Sequence, residues 1–330
     1  MNQKKLSVII PVYLAEKFIL KCLRSIDDWI DTEKVEVICV DDGSPDTSGI
    51  ICDQFSAEHP YVRVIHQKNK GVAGARNTGL QYAEGEYIAW IDPDDYFEND
   101  WCRTILEHLG EGVDCILFDY RRFIEVNNQF IECKLGLPRH VSNQKLIYEL
   151  SCDYKILSFL QNKVIKRSFF EKNKFDEEDR VLEDYHILTL IAPSLKNIRY
   201  ISKSIFVYVQ REHSLTYSMD LDKMNKAVEI AKNRYLHFKK MNYDVSLTSY
   251  ANMCISFCYL PNANNINYGK AYSHCYNFLF NHFKELMSNN QFKTKFKIAL
   301  ILLKFLPQTF CVRIWVKTKQ IRNSLINLKG

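Results

Sequence analysis

The first 120 residues repeat one hydrophobic pattern: a short apolar run rich in Val and Ile, a polar turn, then a longer stretch with apolar positions every three or four residues. Runs at 6–12, 35–41, 62–66, 87–91 and 113–118 predict strands, and the stretches 16–29, 47–57, 72–83 and 100–109 have helical spacing. Such alternation predicts an α/β fold with a mostly parallel sheet flanked by helices. The runs beginning at Leu6, Val35 and Tyr87 are apolar on both faces, as expected of strands covered on both sides. Polar residues gather just past the strand ends: Tyr13, Asp41 with Asp42, and Asp92 with Asp94 and Asp95. Ligands of open α/β sheets bind outside the carboxyl ends of the strands, so a site is expected in these loops.

From about 120 to 215 the pattern is mixed, with a helix-like stretch at 181–191 and strand-like runs at 198–201 and 205–210. From 219 onward it reads as helical, with breaks at 261–266 and at Pro307. The expected organisation is one domain over 1–218, with halves 1–120 and 121–218, followed by a helical region over 219–330.

At 330 residues and 47% hydrophobic content the chain can bury a full core. Eleven cysteines without an N-terminal basic-then-apolar stretch predict free thiols in a reducing, cytoplasmic compartment. Cys254 and Cys258 share a helix face, but no second Cys or His pair stands at zinc-finger spacing, so they read as small buried hydrophobes. The net charge of +5 is modest but uneven: no acidic residue follows Glu285. Lys293, Lys295, Lys297, Lys304, Arg313, Lys317, Lys319, Arg322 and Lys329 are set there among Phe296, Phe305, Phe310, Trp315 and the run 298–303. That run is too short to span a bilayer, and the segment 291–330 is expected to lie on an anionic membrane surface. It carries no nucleic-acid-binding module, and no nucleic-acid partner is expected.

Two acidic clusters, Asp41-Asp42-Gly43-Ser44 and Asp92-Pro93-Asp94-Asp95, stand where apolar strands stop. Carboxylates are concentrated in this way where a cation or a donor-rich ligand compensates them, although Asp-Pro-Asp is also common in turns. The Asp-x-Asp form offers the oxygen ligands that Mg²⁺ or Mn²⁺ prefers, and such an ion can also hold substrate phosphates. Lys70-Gly71-Val72-Ala73-Gly74-Ala75-Arg76-Asn77 offers two cations and a glycine-containing helix start, which suits a diphosphate. The first loop, Pro11-Val12-Tyr13-Leu14, has no glycine, which removes the dinucleotide fingerprint and the glycine-rich loop of a nucleotidyltransferase.

In their order and spacing Ser7-Val8-Ile9-Ile10-Pro11-Val12-Tyr13, the 41–44 run, 71–77, Gly85-Glu86-Tyr87-Ile88 and 92–95 resemble family 2 glycosyltransferases with the GT-A fold, a Rossmann-like α/β domain. The resemblance continues in Asn162-Lys163-Val164-Ile165-Lys166-Arg167, in Leu182-Glu183-Asp184-Tyr185 and in Arg211-Glu212-His213-Ser214, as in bacterial members that build capsule, lipopolysaccharide or exopolysaccharide. It implies transfer of a hexose or N-acetylhexosamine from a UDP-sugar to a saccharide, carried on a polyprenyl diphosphate lipid at the inner face of the cell membrane. Pro11 and Tyr13 would border the base, and Asp42, with Asp41, would bond the uracil. Arg76, with Lys70 and Gly71, would approach the base or the diphosphate, Asp92 the ribose, and Arg211 the donor side. Asp94, with His213, would ligate Mn²⁺ or Mg²⁺, and Asp184 beside Glu183 would be the catalytic base. A single displacement would invert the anomeric centre. The family usually has Asn after the tyrosine of the first loop, where this chain has Leu14. A non-catalytic nucleotide-sugar-binding protein is the alternative from outside the enzymes, and retention of Asp94 and Asp184 speaks against it.

Overall fold

The computed structural model describes residues 4–153, 155–211, 220–243, 245–261 and 267–314. The chain divides into two compact units, one of Met1–Ile124, Gln129–Lys145 and Ser158–Gln210, the other of Glu125–Asn128, Leu146–Leu157 and Arg211–Gly330.

The first unit opens with the predicted alternation: β1 (Leu6–Val12), α1 (Ile19–Asp27), β2 (Val35–Asp41), α2 (Ser48–Glu58), β3 (Val62–His66), α3 (Gly71–Tyr82) and β4 (Tyr87–Trp90). It continues through β5 (Tyr96–Phe97), α4 (Trp101–His108), β6 (Cys115–Ile124), β7 (Gln129–Cys133), β8 (His140–Val141), the start of α5 (Asn143–Cys152), β9 (Lys163–Lys166), α6 (Ser168–Lys172), α7 (Glu183–Ile191) and β10 (Ile198–Gln210). Among the described residues, ten strands form one sheet in the order β3-β2-β1-β4-β9-β6-β10-β5, with β7 on β6 and β8 on β10. The first four pair in parallel, as the alternation predicts. Beyond β4 the sheet is mixed, because β9 enters antiparallel between β4 and β6. The start of β9 therefore lies at the carboxyl end of β4 and carries the loop before it to that edge.

Every residue of β1 and β2 is buried, as the unbroken apolar runs require. Of the three polar exceptions, Asp41 ends β2, and Ser7 and Glu36 are paired: Ser7 Oγ donates to Glu36 Oε1 at 2.6 Å, and the same oxygen accepts the N–H groups of Glu84 (2.7 Å) and Gly85 (3.1 Å), which fixes the turn into β4. Pro11 fits a central strand because β4 has ended beside it. The Ile9 carbonyl faces β4 and accepts the Ile91 N–H at 3.2 Å, whereas the Val12 carbonyl faces β2 and accepts that of Asp42 at 2.9 Å. Pro11 shares the parity of Ile9, and its missing N–H is on the side where no strand is left to pair. Helix α3 lies close on β1 because Gly79 has no side chain: a Cβ there would stand 2.4 Å from Ile9 Cγ2. This approach carries Arg76, one turn earlier, under the sheet edge.

The second unit is helical, as predicted, with the rest of α5, α8 (Leu221–Lys240), α9 (Thr248–Cys258), α10 (Gly269–Asn281), α11 (Phe283–Ser288) and α12 (Thr294–Phe305). Asp220 caps α8 by accepting the Lys223 N–H at 2.8 Å, and the buried Arg234 donates to the Leu150 carbonyl at 3.2 Å. All eleven cysteines are unbridged and ten are buried, which agrees with their reading as small hydrophobes. Among the described residues no helix is long and apolar enough to cross a membrane.

Candidate active site

The sheet edge at the carboxyl ends of β1, β2 and β4 carries two groups of the expected residues. The first is built around Arg76, whose side chain is 2% exposed. Its Nη1 donates to Glu183 Oε1 at 2.7 Å and, more closely, to Asp184 Oδ1; its Nη2 faces Asp92 Oδ1 at 3.4 Å. Trp90 at the end of β4 and Phe175 wall the guanidinium, with ring centroids 5.8 and 5.6 Å from its Cζ. Arg76 is thus not open to a base or a phosphate, as its place in the glycine-containing segment suggested. Three carboxylates hold it inside the protein. Two of them have fixed second partners: Asp184 Oδ2 accepts the Leu160 N–H at 3.3 Å and Asp92 Oδ2 accepts Gln161 Nε2 at 2.7 Å.

Three carboxylates around one guanidinium leave an excess of negative charge, and their pKa values respond. Burial pushes Asp184 up to about 7: Arg76 pulls it down, while Glu183 and Asp92 push it further up. Burial likewise pushes Asp92 up to about 6 against the pull of Arg76, with Asp94 and Glu183 adding to the rise. Burial alone would lower the pKa of Arg76, but Asp184, Glu183 and Asp92 raise it, so it stays charged. A third of the Asp92 side chain and 15% of that of Asp184 remain exposed, which leaves both carboxylates reachable from solvent.

The second group pins the turn before α3. Asp42 Oδ1 accepts Gln67 Nε2 (2.7 Å) and the Lys70 N–H (2.8 Å), and its Oδ2 accepts the Gly71 N–H (2.8 Å). Gly71 has φ +80°, a conformation that glycine adopts without strain. Asp41 accepts the Ser44 N–H at 3.0 Å and is bonded to His66 Nδ1 at 2.9 Å. Burial would raise its pKa, but those bonds hold it below the usual carboxylate value. Both aspartates therefore shape the loops at the end of β2. At the tip of β1 Pro11 is buried, while Tyr13 is 46% exposed. Leu14 holds φ +51°, a region that Asn enters more readily than Leu, which gives a backbone reason for the Asn that the family usually has there. Leu182, immediately before the Glu183–Asp184 pair, is also left-handed at φ +57°. Strained residues thus flank both ends of the site.

Asp94 is half-buried and close enough to Asp92 to raise its pKa. Arg211 belongs to the second unit, where its Nε stands 3.5 Å from Glu125 Oε1. His213 lies outside the described residues. Among the described residues Asp176, Asp179 and His186 place one potential metal-ligand atom each within 4.8 Å of one another, a set without Asp94. Two contributors, Gln161 and Arg180, escaped the sequence reading, and Asp95 was read only as part of the acidic cluster. Gln161 holds Asp92 and directly precedes the 162–167 motif, its only signal. Asp95 Oδ1 accepts the Val209 N–H at 2.8 Å and so ties the acidic loop to β10. Arg180, in the segment leading into α7, stands over Gly71.

This acid-rich group stands at the carboxyl edge of an α/β sheet, where open sheets of this class bind their ligands. The family model described as Glycosyl transferase family 2 matches residues 7–172, half of the chain, and the chain belongs to that family. Glycosyltransferase GlyA of Streptococcus pneumoniae is 30% identical over 248 residues, which is 72% of this chain and 35% of GlyA. Glycosyltransferase GlyG of the same species is 29% identical over 254 residues, 73% of this chain and 83% of GlyG. The chain thus spans about a third of the length of GlyA and most of that of GlyG. Residues 1–349 of Staphylococcus aureus TarS, solved in complex with UDP-GlcNAc, match with a TM-score of 0.64 at 22% identity, covering 83% of this chain and 80% of that one. That likeness is one of fold, and it agrees with the GT-A expectation.

Proposed function

We propose that the chain moves a hexose or N-acetylhexosamine from a UDP-sugar to a hydroxyl of a growing surface polysaccharide, with inversion. The observation that carries this reading is the tie through Arg76, which brings the proposed base Asp184 and the donor-side Asp92 onto one guanidinium. A base must be strong enough to take the acceptor proton and yet be ionised near neutrality, and a carboxyl pushed up to about 7 meets both demands. Asp184 takes the proton as the hydroxyl attacks, while Glu183 and Arg76 hold its orientation. Asp42 acts on the nucleotide through the turn it pins, and Tyr13 offers an exposed ring to the base. The TarS complex, whose ligand is UDP-GlcNAc, supports a UDP-sugar as donor.

Asp94 is the residue that would hold Mn²⁺ or Mg²⁺, with Asp92 behind it; such an ion would neutralise the diphosphate as it departs. The excess of carboxylates at this edge fits a divalent cation, and an ion that keeps several waters and bonds substrate phosphates needs only one or two protein carboxylates. The test is UDP release from a panel of nucleotide sugars with and without each metal. Release from one UDP-sugar is expected, lost on chelation and reduced at least about a hundredfold in Asp94→Ala. Turnover unaffected by chelation and by that substitution would remove the metal from the reading.

The acceptor is proposed to be lipid-linked, reached from the inner face of the membrane. Helix α12 supports this, because it is apolar on both sides. Phe296, Ala299, Leu300 and Leu303 are buried, while Ile298 (54% exposed), Ile301 (37%) and Phe305 (73%) form an outward stripe beside Lys295 and Lys304. A helix of this kind, in a segment free of acidic residues, suits an anionic lipid surface. The full chain is expected to float with vesicles containing anionic lipid, and Ile298→Glu/Ile301→Glu/Phe305→Glu is expected to stay behind with its fold intact. Equal flotation of both would refute the surface.

A further inference from the structure

We infer that Arg180 is the guanidinium that grips the diphosphate of the nucleotide-sugar donor, an inference that rests on the donor reading above. The site needs such a cation. With all three ionised, Asp92, Glu183 and Asp184 against Arg76 leave two negative charges in excess, which the proposed divalent ion would offset, and a diphosphate then brings further negative charge for a protein cation to meet. Arg76 cannot serve, since it is buried and its Nη atoms already face those carboxylates.

Arg180 has the opposite properties. It is exposed, and among the described residues it makes no hydrogen bond or ion pair, although Glu177, Glu178 and Asp179 directly precede it. Its Nη1 stands 3.0 Å from the point a Cβ on Gly71 would occupy, so the guanidinium lies over the bare backbone of the turn that Asp42 pins. A side chain longer than hydrogen at residue 71 would displace it. Arg180 also precedes Glu183 and Asp184 by three and four residues. One short segment thus sets a cation over the glycine turn and two acids on Arg76. The planar fork of an arginine can bond two phosphate oxygens at once, which a lysine cannot. Lys70, exposed and adjacent to Gly71, adds a second positive charge to the same turn.

The test is calorimetric titration of the full chain with uridine, UMP and UDP in Mg²⁺. Wild-type affinity is expected to rise along that series. Arg180→Ala is expected to lose at least about tenfold in UDP affinity and none for uridine, in line with a charged hydrogen bond, and Arg180→Lys to recover only part. Because Arg180 bonds nothing else described, the variants are expected to melt with the wild type, so lost binding is not lost folding. UDP affinity equal in Arg180→Ala and wild type would overturn the inference and leave the donor reading standing. Equal loss of uridine and UDP would place Arg180 at the base and overturn it as well. A wild-type chain that binds neither uridine nor UDP would overturn the donor reading, and this inference with it.

Discussion

Asp184→Asn is expected to lower turnover by a factor of about 10² to 10⁴ and at the same time to make the protein more stable above pH 7. The loss follows from removing the group that accepts the acceptor's proton. The gain follows from linkage. An acid whose pKa rises on folding, here from 3.8 to about 7, binds its proton more tightly in the folded state. Its contribution to stability is greatest at low pH and is lost as pH climbs through the interval to about 7. At pH 8 the wild type therefore bears the full cost of a buried, ionised Asp184 beside Glu183 and Asp92, and the amide bears none of it. The whole shift would be worth at most about 4 kcal/mol. Residual contact with solvent and the lost attraction to Arg76 bring the expected gain to about 1–2 kcal/mol. Urea unfolding of both proteins at pH 5 and pH 8 measures it, and the difference should be larger at pH 8. The same carboxyl sets the pH profile: kcat/KM of the wild type should fall about tenfold per unit below pH 7. A flat profile from pH 5.5 to 8, or an amide variant that turns over normally, would place the base elsewhere.

What the pattern of residues disclosed, and what it hid, has a physical logic. Strands β1, β2 and β4 were legible because burial on both faces demands continuous apolar runs; β1 and β2 end where read, at Val12 and Asp41, and β4 ends at Trp90, one residue before the predicted Ile91. Strand β6 runs to Ile124, past the predicted end at Phe118, because Asp119, Arg121 and Arg122 interrupt the apolar run while the backbone still pairs with β7 and β10. The short β9 has lysine at both ends and too few apolar residues to count, yet its antiparallel entry is what brings Gln161 to Asp92. The runs at 198–201 and 205–210 are one strand, joined through register shifts around Ser204 that period-two counting reads as a break.

The acidic residues of the site were legible as types in motifs, but their partnership was not. Arg76 and Asp184 are 108 positions apart, and nothing local in either motif says that one is buried against the other. Arg76 looked like a phosphate ligand because a guanidinium in a glycine-containing helix start usually meets an anion. It does meet anions here, and they belong to the protein.

Arg76→Met should accordingly be the most damaging single substitution at the site, costing about 3–5 kcal/mol, because it leaves Asp92, Glu183 and Asp184 facing one another without a cation. The size of the methionine side chain limits the cavity under Trp90 and Phe175, so most of the loss is electrostatic. Two dependences follow from that origin. Lowering the pH from 8 to 5.5 should recover part of the loss, since Asp184 and Asp92 then take up protons. Adding Asp184→Asn to Arg76→Met should also recover stability, a non-additive result that a simple packing defect cannot give. Arg76→Lys should fall between wild type and Met, because a single ammonium reaches fewer of the three carboxylates than the planar fork. The measurement is chemical unfolding of five proteins at both pH values: the wild type, Arg76→Met, Arg76→Lys, Asp184→Asn and the double variant. If Arg76→Met is as stable as the wild type, or if its loss is unchanged by pH and additive with Asp184→Asn, then charge balance around Arg76 does not hold this edge of the sheet together, and the shared guanidinium loses its place as the organiser of the site.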